Sequence, residues 1–194
     1  MKKIVIGIMV LFAVEQNFAQ QSKAKIHFSS INNIGIIAGE NGSNITLQTI
    51  NGIRFKNSWT VGLGVGFDPY RVASVPAFID VRKYFGKGTL QTFVYADGGM
   101  NFTLHNNDYP GKWSWNGQDA YIFKPSLYEE AGIGISRHIS KKVKFFILAG
   151  YSVKQFKYTE DNPGVVIDFP PYNTYASTYN YLYRRFSIKI GLEL

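Results

Sequence analysis

From residue 26 to the end of the chain, apolar side chains recur at every second position. In Arg185 to Leu194, Phe186, Ile188, Ile190, Leu192 and Leu194 share one face, and Arg185, Ser187, Lys189, Gly191 and Glu193 share the other. A period of two belongs to a β-strand, whose successive side chains point to opposite sides. The third strand repeats the division, with Trp59, Val61, Leu63, Val65 and Phe67 opposite Thr60, Gly62, Gly64, Gly66 and Asp68. Similar segments run over Ile26 to Gly39, Thr46 to Phe55, Pro76 to Phe85, Thr89 to Met100, Leu127 to Ser136 and Lys144 to Phe156. Eight strands are predicted, most of about the 9–11 residues that a tilted strand needs to cross a hydrocarbon layer.

The connections sort by length. Lys56 to Ser58, Gly86 to Gly88 and Arg137 to Val143 are short, whereas Glu40 to Ile45, Asp68 to Val75, Asn101 to Lys124 and Lys157 to Asn180 are longer. Alternation of this kind puts the short turns and both chain ends on one side of a membrane and the long loops on the other. The expected fold is all-β: an eight-stranded antiparallel up-and-down transmembrane β-barrel.

Parity then says what such a barrel holds. Arg54, Asp80, Arg82, Asp97, Glu130, Arg185 and Lys189 fall on the polar, inward face. Eight strands enclose a bore only wide enough for side chains to fill, so these seven are expected to form a polar network that plugs it and to exclude a general pore. A soluble lipocalin-like barrel would carry the opposite arrangement, apolar within and charged without.

Composition agrees with sheet: 15 Phe, 13 Tyr and 19 Gly accompany only 18% charged residues. Zero cysteines exclude disulfides and thiolate chemistry, so closure of the sheet must hold the domain together. The formal charge of +8 raises nucleic acid as a partner, but Lys and Arg are scattered or sit in turns, with no basic helix or aromatic-interleaved stripe, and no nucleic acid is expected. Residues 1–20 read as a signal peptide, with Lys2 and Lys3 before the apolar run Ile4 to Val14 and a cut after Ala19 or Gln20. Residues 21–194 form the barrel domain.

Aromatic positions gather toward two levels, as at membrane interfaces. Phe55, Trp59, Phe85 and Phe145 lie at the short-turn ends, and Phe67, Tyr70, Phe102, Tyr151 and Tyr183 lie toward the loops. Lys56, Lys83, Lys87, Lys141, Lys142 and Lys144 cluster near the short turns and are expected to snorkel to lipid phosphates.

Several stretches look familiar. Leu47-Gln48-Thr49-Ile50-Asn51-Gly52-Ile53-Arg54-Phe55, Val61 to Arg71, Pro76 to Arg82, Phe93-Val94-Tyr95-Ala96-Asp97-Gly98-Gly99 and the ending Arg184 to Leu192 resemble the outer-membrane β-barrel proteins of Bacteroidota. The likeness covers nearly all the mature chain and implies a fold and an outer-membrane location. It also implies contact with outer-membrane lipid, lipopolysaccharide and the barrel-insertion machinery, and leaves room for an envelope protein partner. Barrels of this kind commonly end on an aromatic residue; this chain ends on Leu194.

Candidate chemistry is sparse. The third long connection holds His105, Asp108, Ser114 and Asp119, residue types that hydrolases use, yet no motif constrains them into a nucleophile, base and orienting acid. No catalytic residue, metal ligand or cofactor is assigned, and the chain is not read as an enzyme. The loop aromatics Trp113, Trp115, Tyr172, Tyr175 and Tyr179, among Ser and Asn, are candidates for stacking on a glycan, lipopolysaccharide or peptide. The leading expectation is a structural or interaction barrel, a loop-borne binder is the alternative, and a lipid-A-modifying enzyme ranks third.

Overall fold

The computed structural model describes residues 26–40, 42–56, 58–86, 88–104, 121–140, 142–162 and 175–194. The proposed signal peptide and the loop residues His105, Asp108, Trp113, Ser114, Trp115, Asp119 and Tyr172 lie outside these. The described elements are strands: β1 (Ile26–Gly39), β2 (Gly42–Phe55), β3 (Trp59–Phe67), β4 (Ser74–Phe85), β5 (Leu90–Thr103), β6 (Tyr121–Lys124), β7 (Ser126–His138), β8 (Lys144–Asn162) and β9 (Tyr175–Glu193).

Nine strands make eight staves. β6 and β7 both pair antiparallel with β8, Lys124 opposite Lys157 and Tyr128 opposite Lys154. Four residues on one side therefore match three on the other, a bulge that falls at Pro125, which has no N–H to give to the ladder. All other neighbours follow chain order, and β9 pairs with β1 to close the ring.

The register fixes the barrel's dimensions. Crossing from one directly paired residue to the next leads from His27 through Arg54, Thr60, Arg82, Tyr95, Gly132, Gly150 and Ser187 to Ile37, ten residues further along β1. Eight strands with that stagger tilt by about 40° and enclose a backbone cylinder of about 8 Å radius. Each residue then climbs about 2.5 Å along the barrel axis, which puts the short-turn ends of all staves at nearly one level and the far ends of most about 25–30 Å above.

The alternation sorts residues across this wall. Leu63, Ile133 and Phe186 are 70%, 66% and 69% exposed on the outside, while Arg82, Arg185 and Lys189 are 1%, 0% and 1% exposed within. Large rings also occupy the interior, among them Phe78, Phe93, Tyr95, Tyr128 and Phe146, where polar or small residues alone were expected. Glycines on neighbouring strands make room for them: a Cβ at Gly64 would collide with the Phe78 ring, and one at Gly134 with the Phe93 ring. The inward glycines are the complement of the inward aromatics.

Two expectations about the connections and one about the aromatic belt are corrected. Residues 42–45 belong to β2 and no long loop follows β1; Gly39 pairs with Gly42, whose φ of 107° suits a tight turn. Residues 157–162 and 175–180 are likewise sheet, because β8 and β9 pair from Lys144–Glu193 to Asn162–Tyr175. Their paired ends reach about 20 Å above the staves β1 to β5, with β6 rising beside them. Their polar positions resemble a loop, yet the Tyr and Thr residues between them keep strand parity. Finally, Tyr70 and Tyr183 do not join an outer aromatic belt: Tyr70 is buried within the barrel mouth, and Tyr183 shares the inward parity of Arg185.

Candidate functional site: the filled bore and its capped mouth

Charges enclosed by a bore this narrow must find partners, because an unpaired ion away from water is costly. The interior resolves into three tiers. Nearest the short turns, Glu193 of β9 gathers its neighbours: Arg54 Nη2 lies 3.0 Å from its carboxylate, Lys144 Nζ 3.5 Å, and Ser29 and Tyr84 donate hydroxyl hydrogen bonds of 3.1 and 3.0 Å. The Arg54 guanidinium also lies 4.0 Å from the Tyr84 ring centre. Lys144, expected among the lysines that snorkel outward, therefore faces inward; Lys83 takes the outer position, 5.0 Å from the Trp59 ring.

The middle tier holds five of the seven residues that parity placed inside. Arg82 Nε donates to both carboxylate oxygens of Asp80 at 3.1 and 2.9 Å, and the guanidinium lies 5.5–5.6 Å from the ring centres of Phe93, Tyr95 and Phe146. Glu130 accepts from Lys189 Nζ at 2.6 Å, Tyr95 at 2.7 Å, Tyr128 at 2.8 Å and Ser187 at 2.8 Å. Lys189 donates a second bond, 2.9 Å, to Gln48, whose amide donates in turn to Tyr128. Asp97 is paired by register with Asp80 on one side and Glu130 on the other, buried and with one oxygen unsatisfied.

The upper tier closes the mouth. Asp68, just past β3, bridges to Ser74, and its carboxylate accepts from the backbone N–H of Tyr70 at 3.0 Å, so that residues 68–73 fold over the opening. Two cations from the opposite wall hold this turn. Arg185 forms an ion pair with Asp68 and donates to Ser152, and Lys154 Nζ lies 3.4 Å from the carboxylate while donating to the carbonyls of Tyr70 at 3.2 Å and Val72 at 3.1 Å. Arg71 carries a φ of 61° at the apex, a conformation that the surrounding bonds must maintain.

All seven parity-placed residues thus face inward, and Arg82 pairs with Asp80. Arg54 goes to Glu193, Arg185 to Asp68 and Lys189 to Glu130. Parity put Asp68 on the polar face of the third strand but not among the seven interior residues, and Lys154 lies in a strand whose polar face was not followed. The parity of Phe146, Leu148 and Ser152 along β8 is the signal that would have placed Lys154 inside.

Above the mouth, the inward parity of β8 and β9 continues as tyrosine. Tyr179 stacks on Tyr158 with ring centres 5.0 Å apart, and Tyr181 lies 6.1 Å from Tyr158 and 6.4 Å from Tyr183, nearly parallel to both. The side chain of Tyr175, the first residue of β9, lies outside the described part. Among the described residues no group of three His, Asp or Glu side chains could hold a metal ion.

A closed antiparallel ring with charge within and an apolar face without decides the class of fold. It is that of the small outer-membrane β-barrels. OprG from Pseudomonas aeruginosa superposes with a TM-score of 0.53 over 90% of this chain and 97% of that one, at 13% identity. Neisserial surface protein A superposes with a TM-score of 0.51 over 90% of this chain and 99% of that one, at 11% identity. No family model matches the sequence, and no curated protein does. At such identities the likeness is one of fold.

Proposed function

We propose that the chain is exported by its first twenty residues, inserts into a bacterial outer membrane of the Bacteroidota kind, and serves there as a structural or interaction barrel without general pore activity. The outer face supports insertion, since apolar side chains cover a height of about 25 Å, the span of such a band in outer-membrane barrels. The observation that carries the closed-bore reading is the middle tier, where Arg82, Lys189, Glu130 and Asp80 with five aromatic rings fill the cross-section. Lipid, lipopolysaccharide and the insertion machinery are the partners this reading requires, and an envelope protein is the partner it allows. The test is conductance across planar bilayers and swelling of sugar-loaded vesicles containing the folded protein. No stable conductance step and no swelling are expected; porin-like steps in most insertions would sink the closed-bore reading.

One observation favours a second role, in which the hairpin above the mouth captures a ligand with a flat apolar face. Tyr158, Tyr179, Tyr181 and Tyr183 present their rings side by side, Tyr181 being 41% exposed. Aromatic faces of this kind stack on sugar rings and aromatic side chains at little entropic cost. Replacing Tyr181 by alanine is expected to weaken capture of lipopolysaccharide sugars about tenfold, a loss of about 1.4 kcal/mol in the range of one aromatic contact, as read by isothermal titration. Equal binding by wild type and variant would remove this role.

A further inference from the structure

Among the described residues, one cluster of neighbouring uncharged polar side chains interrupts the lower half of the apolar outward face. Ser30 and Asn32 on β1 and Thr49 and Asn51 on β2 all point outward, with Ser30 directly opposite Asn51 and Asn32 directly opposite Thr49. The strand register sets the four at about 7–16 Å above the short-turn ends, well inside the apolar band. At the same height the other staves present Leu63, Val81, Val94, Ile133, Ile147 and Ile190. Asn32 and Asn51 are exposed, and among the described residues none of the four side chains makes a hydrogen bond.

A carboxamide facing hydrocarbon has two donors and an acceptor oxygen that acyl chains cannot satisfy, and lipid headgroups lie beyond these heights. We propose that this patch is the interface for a second copy of the same chain, the two barrels standing side by side in the membrane about a two-fold axis parallel to their own axes. The proposal rests on the membrane reading above and goes beyond it. Two copies inserted in the same direction carry the same residues at the same height, so the axis brings Asn32 of one copy opposite Asn51 of the other. Each amide offers both donor and acceptor, which makes the patch complementary to itself, as an isologous interface requires. Phe28, Ile34, Leu47 and Ile53 surround it with apolar surface that packs as the polar centre pairs.

The chain has no cysteine, so introduced thiols report without background. Asn32→Cys and Asn51→Cys chains are mixed, refolded into vesicles and oxidised, with Ile133→Cys on the far side of the barrel as the control. Insertion is scored separately by the faster migration of unboiled samples, so that a chain which fails to insert overturns the membrane reading and is not mistaken for a monomer. The expected result is disulfide-linked dimer in about a third to a half of the mixed chains, random pairing of equal amounts allowing at most half, and in fewer than a tenth of the control. Equal yields from Ile133→Cys, or no dimer from the mixture, would overturn the proposal. As a second arm, Asn32→Leu with Asn51→Leu, which only extends the apolar cover, is expected to weaken association at least tenfold by single-molecule photobleaching at graded protein-to-lipid ratios, and unchanged association would equally overturn it. In native envelopes, crosslinking to a different protein in place of a second copy would reassign the patch and refute a self-interface.

Discussion

Replacing Glu130 by alanine is expected to destabilise the folded barrel by about 3–5 kcal/mol, the cost of removing one partner from a buried ion pair. Glu130 accepts four hydrogen bonds, so the substitution leaves the Lys189 ammonium with Gln48 alone and strips the acceptor from Tyr95, Tyr128 and Ser187. All these groups are enclosed, and water has no short path to replace what is lost. The pair Glu130→Gln with Lys189→Met removes both charges and keeps a carbonyl for the tyrosines, so it is expected to lie within about 1–2 kcal/mol of wild type. The next residue is the control. Glu129 faces outward and takes part in no described ion pair, and its replacement by alanine is expected to change stability by less than about 1 kcal/mol or to improve it. Urea unfolding in vesicles, followed by tryptophan fluorescence, measures all three. A Glu130→Ala chain as stable as wild type, or a double variant no better than the single, would show that the interior network does not hold the barrel together.

The difference between Glu129 and Glu130 also shows what the sequence makes legible. One shift of parity moves a side chain from one surface to the other, and alternation over each strand was regular enough to assign inside and outside for Asp80, Arg82, Asp97, Glu130, Arg185 and Lys189. Closure and the up-and-down order follow from the same pattern with short turns. Pairing inside was not legible, because it depends on the stagger of ten residues around the ring, which sets the strand heights and brings β9 to the level where Lys189 meets Glu130 and Arg185 meets Asp68. That stagger is a sum over all eight junctions, and no single segment records it. Strand ends failed for a different reason. Above the apolar band, β8 and β9 have no hydrophobic outer face to reveal period two, and their pairing persists through backbone hydrogen bonds and facing tyrosines. Asp68 was legible as a polar-face residue, but its place in the cap was not: it lies one residue beyond β3, in a turn that folds back over the opening instead of extending from it.

That turn gives the other large effect. In the Asp68→Ala chain, trypsin is expected to cut after Arg71 about 100-fold faster than in wild type. Asp68 is the one carboxylate that both Arg185 and Lys154 share, and it also accepts the Tyr70 N–H that shapes the turn. Its loss removes the attraction on the turn and leaves two cations side by side at the mouth, so residues 68–73 are released while the strands below keep their own pairs. A local opening that becomes easier by about 2.7 kcal/mol raises the cleavable population 100-fold when reclosing is fast compared with cutting. Lys154→Met should act in the same direction but less strongly, since the Arg185 pair and the Asp68 to Tyr70 hydrogen bond survive. Arg54→Ala, which opens only the tier near the short turns, should leave the rate unchanged. Comparing cleavage with global unfolding in urea separates the two explanations: a rate that rises only in proportion to global instability would mean that Asp68 supports the whole barrel, whereas a rate that rises alone would identify 68–73 as a cap held independently of the staves. Access of trypsin from the outside of intact cells, with no cleavage at the short turns, is the outcome that the insertion direction requires. Cutting at Arg71 only after the envelope is broken would place the mouth on the inner side and reverse the orientation of every loop.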